Sequence, residues 1–161
     1  MRANIRPVTA HDVPALVELS LLAWAPVSTS FREVLGCTIY TLVYPDWDAE
    51  QRAVVEKACA DDAITVVWVA EVDGTVVGFI AYILNHETKT GTVDLLAVHP
   101  DYQNCGIGTS LNTFALEQMK ISGMVLADLH TGGDPGHAPA RRAYEKAGYT
   151  ALPLVHYYKD L

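Results

Sequence analysis

Hydrophobic positions fall into a repeating order along the chain. Ile5-Arg6-Pro7-Val8 predicts a short first strand, and Thr9 is placed to cap the next helix. Val13, Leu16, Val17, Leu21 and Leu22 then recur at helical spacing, which predicts a helix over about His11–Trp24. Between Pro26 and Asp48 the period is lost, and the segment reads as irregular or partly helical. Asp46-Trp47-Asp48-Ala49 has the composition of a helix start, and that helix runs to about Ala60. Thr65–Ala70 is dense in β-branched residues and reads as a strand. Asp73-Gly74 is a hairpin turn, Val76–Leu84 the returning strand and Thr92–Val98 a third antiparallel strand after a turn at Glu87–Gly91. A helix over Gly106–Ser122 ends at Gly123, followed by a strand over Met124–His130. Residues 131–136 have no period, His137–Ala147 is a last long helix stopped by Gly148, and Tyr149–Tyr158 predicts a final strand pair broken at Pro153. No repeat, linker or low-complexity segment interrupts this order.

The bulk numbers narrow the classes. A length of 161 residues predicts one domain, 1–161, large enough for a substantial core. No run reaches the 18 apolar residues that read as a membrane helix, and the N-terminus has no apolar signal region, so a cytoplasmic protein without a membrane partner is expected. Cys37, Cys59 and Cys105 are odd in number and fit no zinc spacing, which predicts reduced thiols and no metal site. A net charge of −8 argues against nucleic acid and toward cationic partners. A homodimer is compatible with all of this.

Chemistry concentrates where the strand Leu95-Leu96-Ala97-Val98 runs through His99-Pro100-Asp101-Tyr102 into Gln103-Asn104-Cys105-Gly106-Ile107-Gly108-Thr109 and then a helix. Glycines there permit a sharp bend and close backbone approach, and the unpaired N–H groups of the helix start favour an anion such as a pyrophosphate. A dinucleotide fingerprint fails because Leu111 stands where a third glycine is needed, and no P-loop lysine is present. Gln103-x-x-Gly106-x-Gly108 directly after an apolar strand resembles the coenzyme A loop of the GNAT N-acetyltransferase superfamily. Ala140-Arg141-Arg142-Ala143-Tyr144-Glu145-Lys146-Ala147-Gly148-Tyr149 is similar to that family's late helix. The resemblance extends over nearly the whole chain.

It implies an α/β (α+β) fold with a mixed central sheet of about six to seven strands flanked by helices. It also implies acetyl-CoA as co-substrate and transfer of its acetyl group to an amine. The strand ending at Val98 would be splayed from its neighbour, with the Leu96 N–H facing the acetyl carbonyl and Ala97 and Val98 pairing with the pantetheine arm. Gln103 and the amides of Asn104, Cys105, Gly106, Ile107, Gly108 and Thr109 would hold the pyrophosphate. Tyr144 stands at the family's general-acid position, and a phenol is protonated at neutral pH. His137 replaces the family's usual coenzyme-contacting Asn and either covers that role or caps the helix. Cys105 replaces a common Lys or Arg, leaving affinity to backbone amides.

For the base, Asp94 shares a face with Leu96 and Val98 if the strand is regular, and is otherwise a structural carboxylate. Asp128 and His130 share a face of the next strand and are further candidates, of which imidazole has the better intrinsic pKa. A water chain is the remaining route. The acceptor wall is expected from Trp24, Phe31, Glu33, Tyr40, Tyr44, Asp46, Trp47 and Asp48, a set suited to a small cationic amine of aminoglycoside or polyamine type, in antibiotic or metabolite acetylation. The alternatives are a protein N-terminal or lysine acetyltransferase, and a non-catalytic acetyl-CoA sensor.

Overall fold

The computed structural model describes residues 3–60 and 64–161. The reading at Met1-Arg2 lies outside them. Five strands form one sheet in chain order: β1 (Asn4–Pro7), β2 (Thr65–Val72), β3 (Thr75–Asn85), β4 (Thr90–Val98) and β5 (Leu126–Leu129). The first three pairings are antiparallel, and β4 pairs parallel with β5. The helices are α1 (Val13–Val43), α2 (Trp47–Ala58), α3 (Ile107–Ile121) and α4 (Ala138–Lys146).

The sheet has apolar side chains on both faces and is covered on both. On one face Leu16, Val17 and Leu19 of α1 and Val55 of α2 pack against Val69, Phe79, Leu95 and Ala97. On the other, Ile107, Leu111, Ala115 and Met119 of α3 pack against Val77, Ile80, Tyr82 and Val93. Leu95 and Ala97 of β4 face the first core and Val93 the second, so the alternation along β4 shifts phase between Val93 and Leu95. A bidentate ion pair ties the N-terminus to the first core. Arg6 Nη1 and Nη2 donate to Asp12 Oδ2 and Oδ1 at 2.8 and 2.9 Å, while Arg6 Nε donates to Glu71 at 2.9 Å. Arg6's hydrogen bonds hold the Asp12 carboxyl well below the usual carboxylate range.

Two expectations are corrected. Helix α1 does not end at Trp24: it runs through Pro26 to a kink at Gly36 (φ +74°, ψ 162°), beyond which a second helical stretch continues to Val43, so the expected irregular or partly helical segment is mostly helical. Proline removes one intrahelical bond, but the segment beyond it is anchored by packing that local pattern cannot reveal. By length and composition the span 10–43 would suffice to cross a bilayer. Its Leu16, Val17 and Leu19 are no more than 4% exposed, seated in the sheet core. The expected final strand pair is also absent. Residues 149–161 have no regular structure, so the described sheet has five strands, not six to seven, and β5 is its edge. Pro153 within that stretch offers no N–H to a ladder.

Candidate functional site

The sheet splits where β4 leaves β5. Parallel pairing ends at Val93–Leu129, while β4 continues five residues further to Val98. A bulge accompanies the split: Leu95 pairs with Ala81 and Val93 with Tyr82, leaving Asp94 without a partner in β3. Bulges break the alternation of side chains and re-aim the strand. The bulge breaks the alternation between Val93 and Leu95, and Asp94 borders the same cleft as Leu96 and Val98.

Beyond the bulge, β4 presents free backbone groups. His99 N–H donates to Val77 at 2.8 Å, so in an extended strand the N–H and C=O of Val98 and Leu96 point the opposite way, into the split. The Val98 carbonyl is met there by the Gln103 side-chain amide at 3.0 Å. The split opens into a cleft of about 490 Å³. Its walls include Trp24 and Val27 of α1, Asp94–Val98 of β4, Gln103–Asn104, Gly108, Thr109 and Asn112 of α3, His130, and His137 and Tyr144 of the last helical region.

One end of the cleft is the start of α3. Asn104 and Gly106 take left-handed backbone angles (φ +59° and +83°), turning the chain so that Gly106 caps the helix. The first intrahelical bond runs from Ser110 N–H to the Gly106 carbonyl at 2.9 Å. The N–H groups of Ile107, Gly108 and Thr109 thus have no intrahelical acceptor, and the helix dipole adds partial positive charge. The Ile107 side chain is 2% exposed in the core, so only its amide can serve a ligand, while Cys105 lies exposed outside the lining.

The other end is built from α4 and the loop before it. Tyr144 stands on the cleft wall, edge-on to Tyr149 at 5.7 Å between ring centroids. Burial, and secondarily Tyr149, push its pKa up to about 12, with no hydrogen-bonding group pulling the other way. Tyr149 is held in turn by its hydroxyl donating to the buried Asn112 at 3.3 Å.

The acceptor-wall residues divide. Trp24 and His130 line the main cleft. Tyr40, Tyr44, Asp46 and Trp47, with Asp48, Ser28 and Arg32, line a separate shallow depression of about 290 Å³. Phe31 links the two, stacked on Tyr44 at 5.5 Å and against His137 at 5.4 Å. Asp46 also has a structural duty: Oδ1 accepts from Ala49 N–H at 3.1 Å, capping α2. Glu33 is exposed and lines neither hollow, and Asp128 has a buried Oδ1 without a hydrogen-bond partner, off the main cleft.

Sequence reasoning missed Asp134 and Ser30. Asp134 accepts from Ser30 Oγ at 2.6 Å and Gly136 N–H at 3.0 Å, and its Oδ1 meets His137 Nδ1 at 2.5 Å. Burial works against the Asp134 charge, but Ser30 and His137 outweigh it and hold the carboxyl below its ordinary value. The available signal was a carboxylate three residues before a histidine at a helix start; its partner Ser30 lies 104 positions away.

Comparisons with known proteins agree with this architecture. The mycothiol acetyltransferase of Streptomyces coelicolor is 33% identical over 82 residues, which are 51% of this chain and 26% of that protein. The chain thus spans about a quarter of that relative's length. The coenzyme A complex of the PaiA N-acetyltransferase of Thermoplasma acidophilum superposes with a TM-score of 0.71 at 19% identity, covering 94% of this chain and 92% of that one. AAC(6')-Iy bound to the bisubstrate analogue CoA-S-monomethyl-acetylneamine gives 0.68 at 16% identity, over 100% and 99% of the chains. The pattern of the acetyltransferase (GNAT) family matches residues 31–149, taking in the split strand, the glycine turn and the Tyr144 helix, and the chain belongs to that family.

Proposed function

We propose that the chain is an acetyl-CoA-dependent N-acetyltransferase that acetylates the primary amine of a small cationic molecule. The observation that carries this is the divergence of β4 from β5 beside a helix start with three unpartnered N–H groups. An extended pantetheine arm needs edge-strand hydrogen bonds, and a pyrophosphate needs clustered N–H donors; the cleft offers both in one line. The Leu96 N–H lies where it can donate to the acetyl oxygen as charge develops on it. Tyr144, kept protonated by its surroundings, supplies the proton for the departing thiolate. The region 1–161 works as one unit in this reading, because α1 and the 131–137 loop close the same cleft.

The acceptor class rests on the depression beside Phe31. Asp46 and Asp48 at its rim suit an ammonium-bearing, partly apolar or sugar-like molecule, with Trp47 beside them and the Tyr40 face already covered by the Arg32 guanidinium at 4.8 Å. The bisubstrate complex of AAC(6')-Iy supports the same class by analogy. Thiol release from acetyl-CoA, measured against polyamines, aminoglycosides and peptides, tests the reading. Turnover with the first two groups is expected. Turnover with peptide N-termini or lysines alone makes it a protein acetyltransferase, and coenzyme binding without turnover makes it a sensor.

A further inference from the structure

We infer that His137 takes the proton from the acceptor's ammonium group, with Asp134 as the positioning residue that orients its ring. The inference rests on the acetyl-transfer reading. An ammonium cannot attack an acyl carbon until it is deprotonated. Of the carboxylates expected for that task, Asp94 borders the cleft but is exposed at the bulge, and Asp128 lies off the cleft.

His137 is differently situated. It lines the cleft, its side chain is 15% exposed, and Nδ1 is committed to a carboxylate that is itself only 7% exposed. A carboxylate on one ring nitrogen fixes the tautomer and leaves the other, Nε2, as the acceptor. The pair is held from several sides. Ser30 of α1 donates to Asp134, and Arg141 Nη1 donates to the Gly132 and Asp134 carbonyls at 2.5 and 2.8 Å. A Cβ at Gly132 would collide with both Asp134 and His137, and one at Gly136 would come within 2.7 Å of Ser30, so the loop backbone is shaped around this contact. Phe31 covers the ring from the side of the aromatic depression, placing His137 between the proposed acceptor wall and the coenzyme cleft. Tyr144 stands two helical turns later, and helix side chains lean toward the N-terminus, which carries its hydroxyl back toward His137.

The groups facing His137 are few. Its own loop and α4 present Asp134, Arg141 and Tyr144; α1 presents Ser30 and Phe31, neither titrating near neutrality, with Tyr44 behind Phe31. His130 and Asp94 border the same cleft from the sheet side.

In the step so assigned, one ammonium proton passes to Nε2 and then to solvent. The freed lone pair forms the C–N bond. The C–S bond breaks with its pair on sulfur, which receives the Tyr144 proton, and the second proton of the acylated nitrogen restores the tyrosine.

The test is the pH dependence of kcat/KM with an acceptor from the thiol-release screen, for the parent protein, His137→Asn, Asp134→Asn and His130→Asn, with coenzyme A affinity measured by calorimetry and folding by circular dichroism. In the parent, kcat/KM rises with pH along a limb that lies below the acceptor's own ammonium pKa. In His137→Asn it falls by about a hundredfold or more, its rise moves to the acceptor's own ammonium pKa, and coenzyme affinity changes less than about threefold. Asp134→Asn lowers kcat/KM by about tenfold and displaces the parent's limb, which His130→Asn leaves in place. A folded His137→Asn protein that keeps the parent's limb, or loses only coenzyme affinity, overturns the inference while acetyl transfer stands. Loss of the limb in His130→Asn alone assigns the base to that residue instead. If the parent binds coenzyme A but turns over no amine, the acetyl-transfer reading fails, and this inference with it.

Discussion

Gly108 offers a perturbation in which stability and binding move in opposite directions. It is the second residue of α3, and a Cβ built there meets only Val98 Cγ2 at 3.5 Å, an ordinary contact. The protein alone has no need of glycine at this position. Alanine is the better helix former by about 0.5–1 kcal/mol, which for a chain of this size raises Tm by about 2–4 °C per kcal/mol. A bound phosphate oxygen must lie about 2.9 Å from a donating N–H, and a methyl group on the same backbone forces it back. Losing one charge-assisted bond costs about 1.5–3 kcal/mol, which is about tenfold to a hundredfold in Kd. Gly108→Ala is therefore expected to melt slightly higher and bind coenzyme A at least tenfold more weakly, by thermal denaturation and calorimetry. Gly106→Ala is the opposite control. Its φ of +83° is strained for alanine although nothing lies within 4 Å of the new Cβ, so Tm falls, by about 1–2 kcal/mol of stability. A folded Gly108→Ala protein with parental coenzyme affinity refutes the placement of the pyrophosphate at this turn.

The same geometry carries three further predictions. Tyr144→Phe lowers kcat by about tenfold to ten-thousandfold with little change in Tm, and because the parent phenol has its pKa pushed up to about 12, no alkaline limb below about pH 10 belongs to it; loss of affinity alone, with kcat intact, assigns Tyr144 to binding. Asp12→Asn removes the carboxylate that Arg6 grips, so stability falls by about 1–3 kcal/mol in chemical denaturation. Since the folded Asp12 pKa is depressed, the parent has this stabilisation above the unfolded carboxyl's pKa near 4 and loses it as pH falls below that; an Asp12→Asn protein as stable as the parent at pH 7 refutes it. Asp46→Asn with Asp48→Asn keeps a capping side chain on α2 while removing two charges, and is expected to flatten the salt dependence of kcat/KM for a polycationic amine without altering coenzyme affinity.

What the sequence made legible was local. Gly106 and Gly108 next to a helical period announced the turn and the helix start, because backbone freedom and side-chain spacing are written within a few residues. The antiparallel run β2–β3–β4 was readable for the same reason, with Asp73-Gly74 as its marker. The misplaced features depend on distant partners. Periodicity assumes a regular strand, and the bulge at Asp94 is a property of β4 against β3 that no alternation within β4 could show. The lost period made Pro26–Asp48 look irregular or partly helical, yet Ser30 and Phe31 there hold Asp134 and His137 from more than 100 positions away.

That long-range clasp bears on why α1 continues past its proline. The helix bond missing at Pro26 weakens the segment, but extending α1 brings Val27, Ser30 and Phe31 against the 131–137 loop in a single stroke. Ending the helix at Trp24 would leave Asp134 without its hydroxyl donor and with burial still opposing its charge. It would also uncover the ring of His137. The same packing that stabilises an unfavourable stretch of helix thus fixes the one imidazole–carboxylate pair bordering the cleft among the described residues. Local signals locate the coenzyme side of the site, whereas its acceptor side exists only once the fold has joined α1 to the loop before α4.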